Sequence, residues 1–134
     1  MTLLLMAMVV AGAPQLEVEP TGHVFTSKEG VEVAVAALHS PGPKRALVRI
    51  TRAGANPASK VWLAQVQESL EISEYRVTVD KKERRLLITR AGNPVVYLPE
   101  DGREVPISWD EEKSHALDTG QLLEEYLAQA KTGK

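Results

Sequence analysis

The sequence predicts a mainly β domain, a β-rich α+β fold with about seven short, mostly antiparallel strands and one C-terminal helix. From Gln15 onwards the apolar residues mostly recur at every second position, which is the period of a half-buried strand. Eight prolines and nine glycines divide the 134 residues into short segments. Only the last segment changes to the spacing of an amphipathic helix. The strands are expected to form a sandwich or a curved sheet with the helix packed on it.

The first thirteen residues are predicted to be an export signal, which leaves a single domain over residues 14–134. Thr2–Ala13 carries no charge, ends in small residues, and is too short to span a bilayer, for which about 20 residues are needed. Cleavage after Ala13 would place Pro14 next to the cut bond, so the bond after Gly12 is the better site. No Lys or Arg precedes the apolar run. The alternative is a buried strand or short helix in a cytoplasmic protein.

Alternation of apolar residues indicates the first three strands, whose predicted bounds are Val31–Leu38, Arg45–Arg52 and Lys60–Gln67. Ser40–Pro43 and Ala53–Ser59 separate them, and their proline, glycine and asparagine content is typical of loops. In the third strand Trp62 shares a face with Ala64 and Val66, which predicts a core position for Trp62.

A β-hairpin is predicted over Tyr75–Arg90, after an acidic connection, Glu68–Glu74, and with its turn in the polar run Asp80–Glu83. Two short strands follow, Val95–Pro99 and Glu104–Trp109. Pro106 confines the last strand to a sheet edge or a bulge. An apolar stripe then predicts a helix over 118–131, with Asp118 and Gln121 at the spacing of a capping box; the stripe consists of Leu122, Leu123, Tyr126, Leu127 and Ala130.

Composition argues against several classes of function. The chain has no cysteine, which removes disulfides, thiolate catalysis and zinc–thiolate sites. Its formal net charge is −2 and only 4% of its residues are aromatic, so nucleic-acid binding is not expected, and Lys81–Arg85 is interpreted as a solvated hairpin turn. It contains no P-loop, dinucleotide fingerprint or G-x-S-x-G elbow. We predict a protein without catalytic residues and without a cofactor.

The residues from Asp110 to Asp118 form the densest group of side chains with chemical potential. Glu112 and His115 have the three-residue spacing of a metal-binding helix pair, but such sites need two of these pairs and further glutamates. The same residues also suit a solvated loop that leads into the helix N-terminus, where acids are favourable. His23 and His39 have no second ligand at a useful spacing and are expected at the surface. A small metal-dependent enzyme or metal-binding protein that uses the 110–118 cluster remains an alternative.

Charge is unevenly distributed along the chain. Lys44–Lys60 holds five basic residues and no acid, whereas Glu100–Glu112 holds six acids and only Arg103. These stretches are either solvated faces lying opposite one another or a polarised surface that steers a partner. Trp109 beside the acids has the composition of a binding hot spot; alternatively it covers the core edge under the helix. The candidate partner-binding residues are Glu100, Asp101, Glu104, Trp109, Asp110, Glu111 and Glu112.

The leading functional hypothesis is an exported domain, periplasmic or secreted, that binds another protein or a cell-envelope component. In a more specific version, an inhibitor or immunity-type protein uses Glu100–Glu112 to block a basic active-site cleft. Neither nucleic-acid binding nor stable membrane insertion after signal removal is expected. A structural accessory that adds its edge strand to another sheet is a further alternative.

The export signal predicts the mass of the mature chain. Protein recovered from its native host is expected to begin at Ala13 and to lack the mass of the first twelve residues. Intact mass spectrometry and N-terminal sequencing measure this directly. A native chain that begins at Met1 or Thr2 would contradict the export signal and favour the buried element.

Overall fold

The computed structural model describes residues 16–39, 42–52, 59–90, 92–100 and 102–132. In this part of the chain nine strands form one antiparallel sheet, which confirms the mainly β class. The strands are β1 (His23–Thr26), β2 (Val31–Ala37), β3 (Arg45–Arg52), β4 (Ser59–Ser69), β5 (Ile72–Val79), β6 (Lys82–Arg90), β7 (Val95–Tyr97), β8 (Glu104–Pro106) and β9 (Ser108–Trp109). Two helices follow, α1 (Glu111–Ala116) and α2 (Thr119–Thr132).

One extended segment supplies the strands at both ends of the sheet order. The strand order is β9-β1-β2-β3-β4-β5-β6-β7-β8, with every neighbouring pair antiparallel. β8 and β9 both belong to Glu104–Trp109, which we call the closing segment. β8 pairs with β7, while β9 pairs with β1 through Ser108 opposite Thr26 and Trp109 opposite Phe25. The sheet therefore curls into a near-barrel, which is the curved-sheet alternative rather than the sandwich.

The structure has two strands more than the seven predicted. β1 was not predicted, and the four-residue strand places His23 inside the sheet rather than outside it. The closing segment is two strands rather than one, because its first part pairs with β7 and its last part with β1. Ile107 between them donates its N–H to the carbonyl of Pro94, at 3.1 Å. Pro106 lies in β8, the last strand at one end of the sheet order, as its missing N–H predicts.

The predicted acidic connection is a continuation of two strands. β4 runs to Ser69 and β5 starts at Ile72, so only Leu70 and Glu71 form the turn. All residues from Gln67 to Ile72 are exposed, and a strand that is exposed on both faces shows no alternation of apolar and polar residues. The next turn is shorter than predicted as well. It consists of Asp80 and Lys81, whose φ angles of 53° and 67° match the two central positions of a type I′ turn.

The inward-facing side chains of the strands form the main core. Trp62 packs against this core together with Val66, as its shared face with Ala64 predicted. The fully buried members include the bulky side chains of Leu86, Leu87 and Leu98. Burial of apolar side chains of this size is the largest favourable contribution to folding.

A second apolar cluster lies between α2 and the outer face of β2, β3 and β4. Leu122 of α2 is fully buried there, and Tyr126 packs beside it, in agreement with the predicted stripe. The carboxylate of Asp118 accepts a hydrogen bond from the N–H of Gln121 at 3.1 Å, so Asp118 caps the helix as predicted. Leu127, which the stripe also included, remains exposed. Of the described helices, none is long and apolar enough to cross a membrane.

Gly22 lies where the chain before β1 passes close to β2, and it provides a test of this packing. An added Cβ would lie 2.4 Å from the main-chain oxygen of Val35 and 2.8 Å from a methyl group of Leu117. Because a ladder carbonyl cannot move easily, Gly22→Ala is expected to lower the free energy of unfolding by about 1–3 kcal/mol, as overpacking does.

Gly120→Ala in the first turn of α2 is the matched control for this prediction. Its added Cβ would meet only the Asp118 carboxylate, at 3.4 Å, so the alanine is expected to stabilise the protein by about 0.4–1 kcal/mol. Urea denaturation measures both changes. A Gly22→Ala protein as stable as the wild type would contradict the close approach.

Candidate functional site

The closing segment holds two of the seven predicted binding residues, one at each end. Val105 and Ile107 in its middle are buried in the barrel core. Glu104 at its start is exposed. Trp109 at its end lies opposite the buried Phe25, yet 51% of its surface is exposed. Half of Trp109 is therefore available to a partner.

The segment after Trp109 is a helix, not the solvated loop predicted for residues 110–118. α1 starts where the Asp110 carboxylate accepts a hydrogen bond from the N–H of Lys113, at 3.0 Å. The hydroxyl of Ser114 is buried, accepts from the N–H of Val24 at 2.7 Å and donates to the carbonyl of Val24 at 3.3 Å. A helix of six residues is too short to show a periodic pattern. Its stability depends on this cap and this tertiary contact.

The seven predicted binding residues do not form one surface. Glu104 and Trp109 are five residues apart in an extended segment, about 17 Å at the usual rise per residue. Glu100 forms an ion pair with Arg52, so the acidic and basic stretches meet there. Asp101 lies outside the described residues. The structure keeps together only four consecutive residues, which we call the tryptophan corner: Trp109, Asp110, Glu111 and Glu112.

The histidines lie in exposed positions. Glu112 and His115 are both exposed on α1, and His23 and His39 are exposed as well. Among the residues that the structure describes, no group of three or more His, Asp or Glu side chains is placed to hold a metal ion. The Glu112–His115 pair therefore has no third ligand within the described chain.

A cleft that the sequence did not predict opens between β4 and β5. The ladder between these strands ends at Gln65 opposite Arg76, although β4 begins at Ser59 and β5 continues to Val79. Beyond this pair the strands are not joined, and the C-terminal part of α2 contributes to the wall. The resulting β4–β5 cleft has a volume of about 650 Å³, within the range of about 300–1,000 Å³ typical of ligand sites.

Gln129 of α2 takes the place of a neighbouring strand at one end of the β4–β5 cleft. Its side-chain oxygen accepts from the N–H of Val61 at 2.8 Å, and its side-chain nitrogen donates to the carbonyl of Val61 at 2.7 Å. Without this amide, both main-chain groups of a buried residue would lose their partner, which is costly. Ser114 does the same for Val24 at the edge of β1.

The basic stretch is neutralised unevenly. Ion pairs join three of its five residues to acids: Lys44 to Glu68, Arg49 to Glu125 and Arg52 to Glu100. The other two, Arg45 and Lys60, line the β4–β5 cleft, and the described residues place no acid within ion-pair distance of them. The ammonium group of Lys60 lies 4.2 Å from the centre of the Trp62 ring, a cation–π contact. The cleft therefore combines positive charge with an aromatic face.

Glu74 is the centre of a charge network on the outer face of β5 and β6. Arg76 and Arg85 both contact its carboxylate, and Arg76 also lies 3.1 Å from the carboxylate of Glu83. Burial by itself would raise the pKa of Glu74, but the hydrogen bonds from Arg76 and Arg85 outweigh it and hold that pKa below the ordinary 4.5. This network fixes Arg76 in the wall of the β4–β5 cleft.

Sequence reasoning singled out none of the cleft residues as functional. Arg45 and Lys60 belong to the basic stretch, but their spacing along the chain does not show which bases have acidic partners. Gln129 lies outside the apolar stripe of α2, where a glutamine looks like any solvated residue. The only sequence signal for the cleft was the absence of acids from the whole stretch Lys44–Lys60.

No protein-family model matches the chain, and neither a curated protein nor a solved structure does.

Glu74 gives a testable pH dependence. Because its folded-state pKa is lowered, the ionised carboxylate stabilises the protein above pH 4.5, and this contribution is lost as the pH falls through the folded-state pKa. At pH 7, Glu74→Gln is expected to lower the free energy of unfolding by about 1–3 kcal/mol. At a pH well below 4.5, the difference from the wild type should be smaller.

Glu71→Gln at the exposed β4–β5 turn is the control, with an expected effect within about 0.5 kcal/mol at both pH values. Urea denaturation at pH 7 and at that lower pH makes the comparison. An effect of Glu74→Gln that is the same at both pH values would show that the network acts through packing rather than charge.

Proposed function

We propose that the protein is an exported, non-catalytic β domain that binds another protein through the tryptophan corner. The observation that carries this proposal is the half-exposed surface of Trp109 next to three acids. Tryptophan is enriched at binding hot spots because one side chain buries a large area with little loss of rotamer freedom. An exposed tryptophan that a partner covers thus supplies much of the binding energy.

Hydrogen bonds hold the tryptophan corner rigidly in the fold. Trp109 is paired with Phe25 in the sheet, and the N–H of the next residue, Asp110, donates to the carbonyl of Val24 at 2.8 Å. Ser114 then fixes α1 to the same residue of β1. Because the main chain around Trp109 is already ordered, a partner pays little conformational entropy to bind it.

The negative charge of the tryptophan corner favours a partner with a basic surface. Glu111 and Glu112 are exposed in the first turn of α1, beside Trp109. Exposed acids of this kind accelerate encounter with a positively charged surface and exclude acidic ones. An inhibitor or immunity-type protein that covers a basic active-site cleft is the version of this proposal that fits the corner.

The alternatives have less support from the structure. The strand-donating accessory needs a free sheet edge, but β9, Asp110 and Ser114 occupy the outer edge of β1. The metal-dependent alternative lacks a third ligand near Glu112 and His115 within the described chain. Export is supported by the apolar residues 1–13, which lie outside the described residues.

Substitutions at the tryptophan corner test the proposed function. The partner is first captured from an envelope extract with the purified protein, identified by mass spectrometry and purified, and its affinity is measured by calorimetry. Trp109→Ala is expected to weaken binding about 30-fold or more, as truncation of a hot spot does. The double substitution Glu111→Lys and Glu112→Lys should slow association, most strongly at low salt.

Leu127→Ala is the matched control, because Leu127 is about as exposed as Trp109 but lies on α2, and its substitution should leave the affinity unchanged. The proposal fails if no partner is captured. It fails equally if Trp109→Ala binds the partner as tightly as Leu127→Ala.

A further inference from the structure

The β4–β5 cleft presents main-chain groups of two strands that have no neighbour. The N–H of Val66 bonds to β3, so the odd-numbered residues of β4 turn their main-chain groups towards β5. The main chain of Gln65 is used in the last ladder pair, with Arg76. The N–H and carbonyl of Val61 are bound by the side chain of Gln129. Leu63 lies between these two positions and would face Thr78, but the ladder includes neither residue. The strands are thus open to a further strand at this point.

The charge of the β4–β5 cleft selects the chemistry of its occupant. Arg45 and Lys60 line it and form no ion pair with a described residue, and the ion pairs of Arg76 hold its side chain in the wall. The one acid in the lining, Glu83, is already bound to Arg76. Lys60 also lies over the Trp62 ring, which adds an apolar contact surface. The cleft therefore favours a chain that brings carboxylates and apolar side chains together.

We propose that the β4–β5 cleft binds an extended segment of a partner protein that carries carboxylate side chains. Its main chain pairs with Leu63 and Thr78, and its carboxylates meet Arg45 and Lys60. Main-chain pairing supplies the affinity in this mode of recognition, while the alternate side chains supply the specificity. The site lies on different strands from the tryptophan corner, so it is a second interaction surface.

A labelled peptide tests this site directly. The probe is the peptide Thr-Glu-Val-Glu-Val-Thr-amide with fluorescein attached to its N-terminal amine, and fluorescence anisotropy with the full folded chain measures its affinity. Saturable binding that weakens with salt is expected. Arg45→Glu and Lys60→Glu should each weaken it about tenfold or more. Lys28→Glu, at an exposed position in the turn between β1 and β2, changes the net charge equally and should have little effect.

A second comparison separates main-chain pairing from simple charge attraction. The same peptide with alternate amides N-methylated should lose at least about tenfold in affinity, because it cannot donate its hydrogen bonds. Thr78→Pro should weaken binding while Thr78→Ala preserves it. Since the N–H of Thr78 faces the cleft, proline there removes no bond to β6.

Two results would overturn the proposal. One is equal affinity for the N-methylated peptide, and the other is competition by free glutarate at the same concentration as the peptide, which would assign the cleft to small anions. Absence of any binding by the unmodified peptide would also overturn the proposal. Trp109→Ala is expected to leave the peptide affinity unchanged, so failure here and failure at the tryptophan corner are distinguishable.

Discussion

Main-chain pairing of the closing segment is the constraint on which the rest of the structure depends. Without this segment, the seven strands β1 to β7 would form an open sheet with two edges, each with a row of unpaired N–H and carbonyl groups. Glu104–Trp109 covers both edges, because its first half pairs with β7 and its second half with β1. Closure brings the inward faces of all strands around one core. The same pairing fixes the position of Trp109 and of the helix that follows it.

Within the described part of the chain, the sheet is incomplete at two places, and at each of them a helix supplies a polar side chain instead of a strand. Ser114 of α1 satisfies Val24 where β9 ends, and Gln129 of α2 satisfies Val61 where β4 separates from β5. The helices thus have a second role besides covering apolar surface. Both candidate binding surfaces lie beside these two positions, where a side chain takes the place of a neighbouring strand.

The sequence predicted the parts of the fold that depend on one buried face. In the strands from Val31 to Arg52 every second residue faces the main core, and the stripe of α2 faces the second cluster, so these apolar periods are visible in the sequence. The exposed ends of β4 and β5, between Gln67 and Ile72, have no such pattern. Closure of the sheet and the ion pair of Glu100 with Arg52 join residues that are far apart in the chain. The divergence of β4 from β5 depends on α2, which is also distant in the chain. Local sequence patterns hold no information about such contacts. For Trp109 the sequence offered two positions, an exposed binding residue or a cover of the core edge, and the structure shows a half-exposed side chain.

The location of the two surfaces follows from how the barrel is filled. Bulky side chains such as Leu86, Leu87 and Leu98 are fully buried in its main core, and protein interiors are close-packed. A ligand inside the barrel would have to displace these side chains at a cost of several kcal/mol. Recognition at the discontinuities of the sheet has no such cost, because main-chain groups there already lack a strand partner. The tryptophan corner and the β4–β5 cleft carry opposite charges, so the two proposed surfaces suit partners of different chemistry.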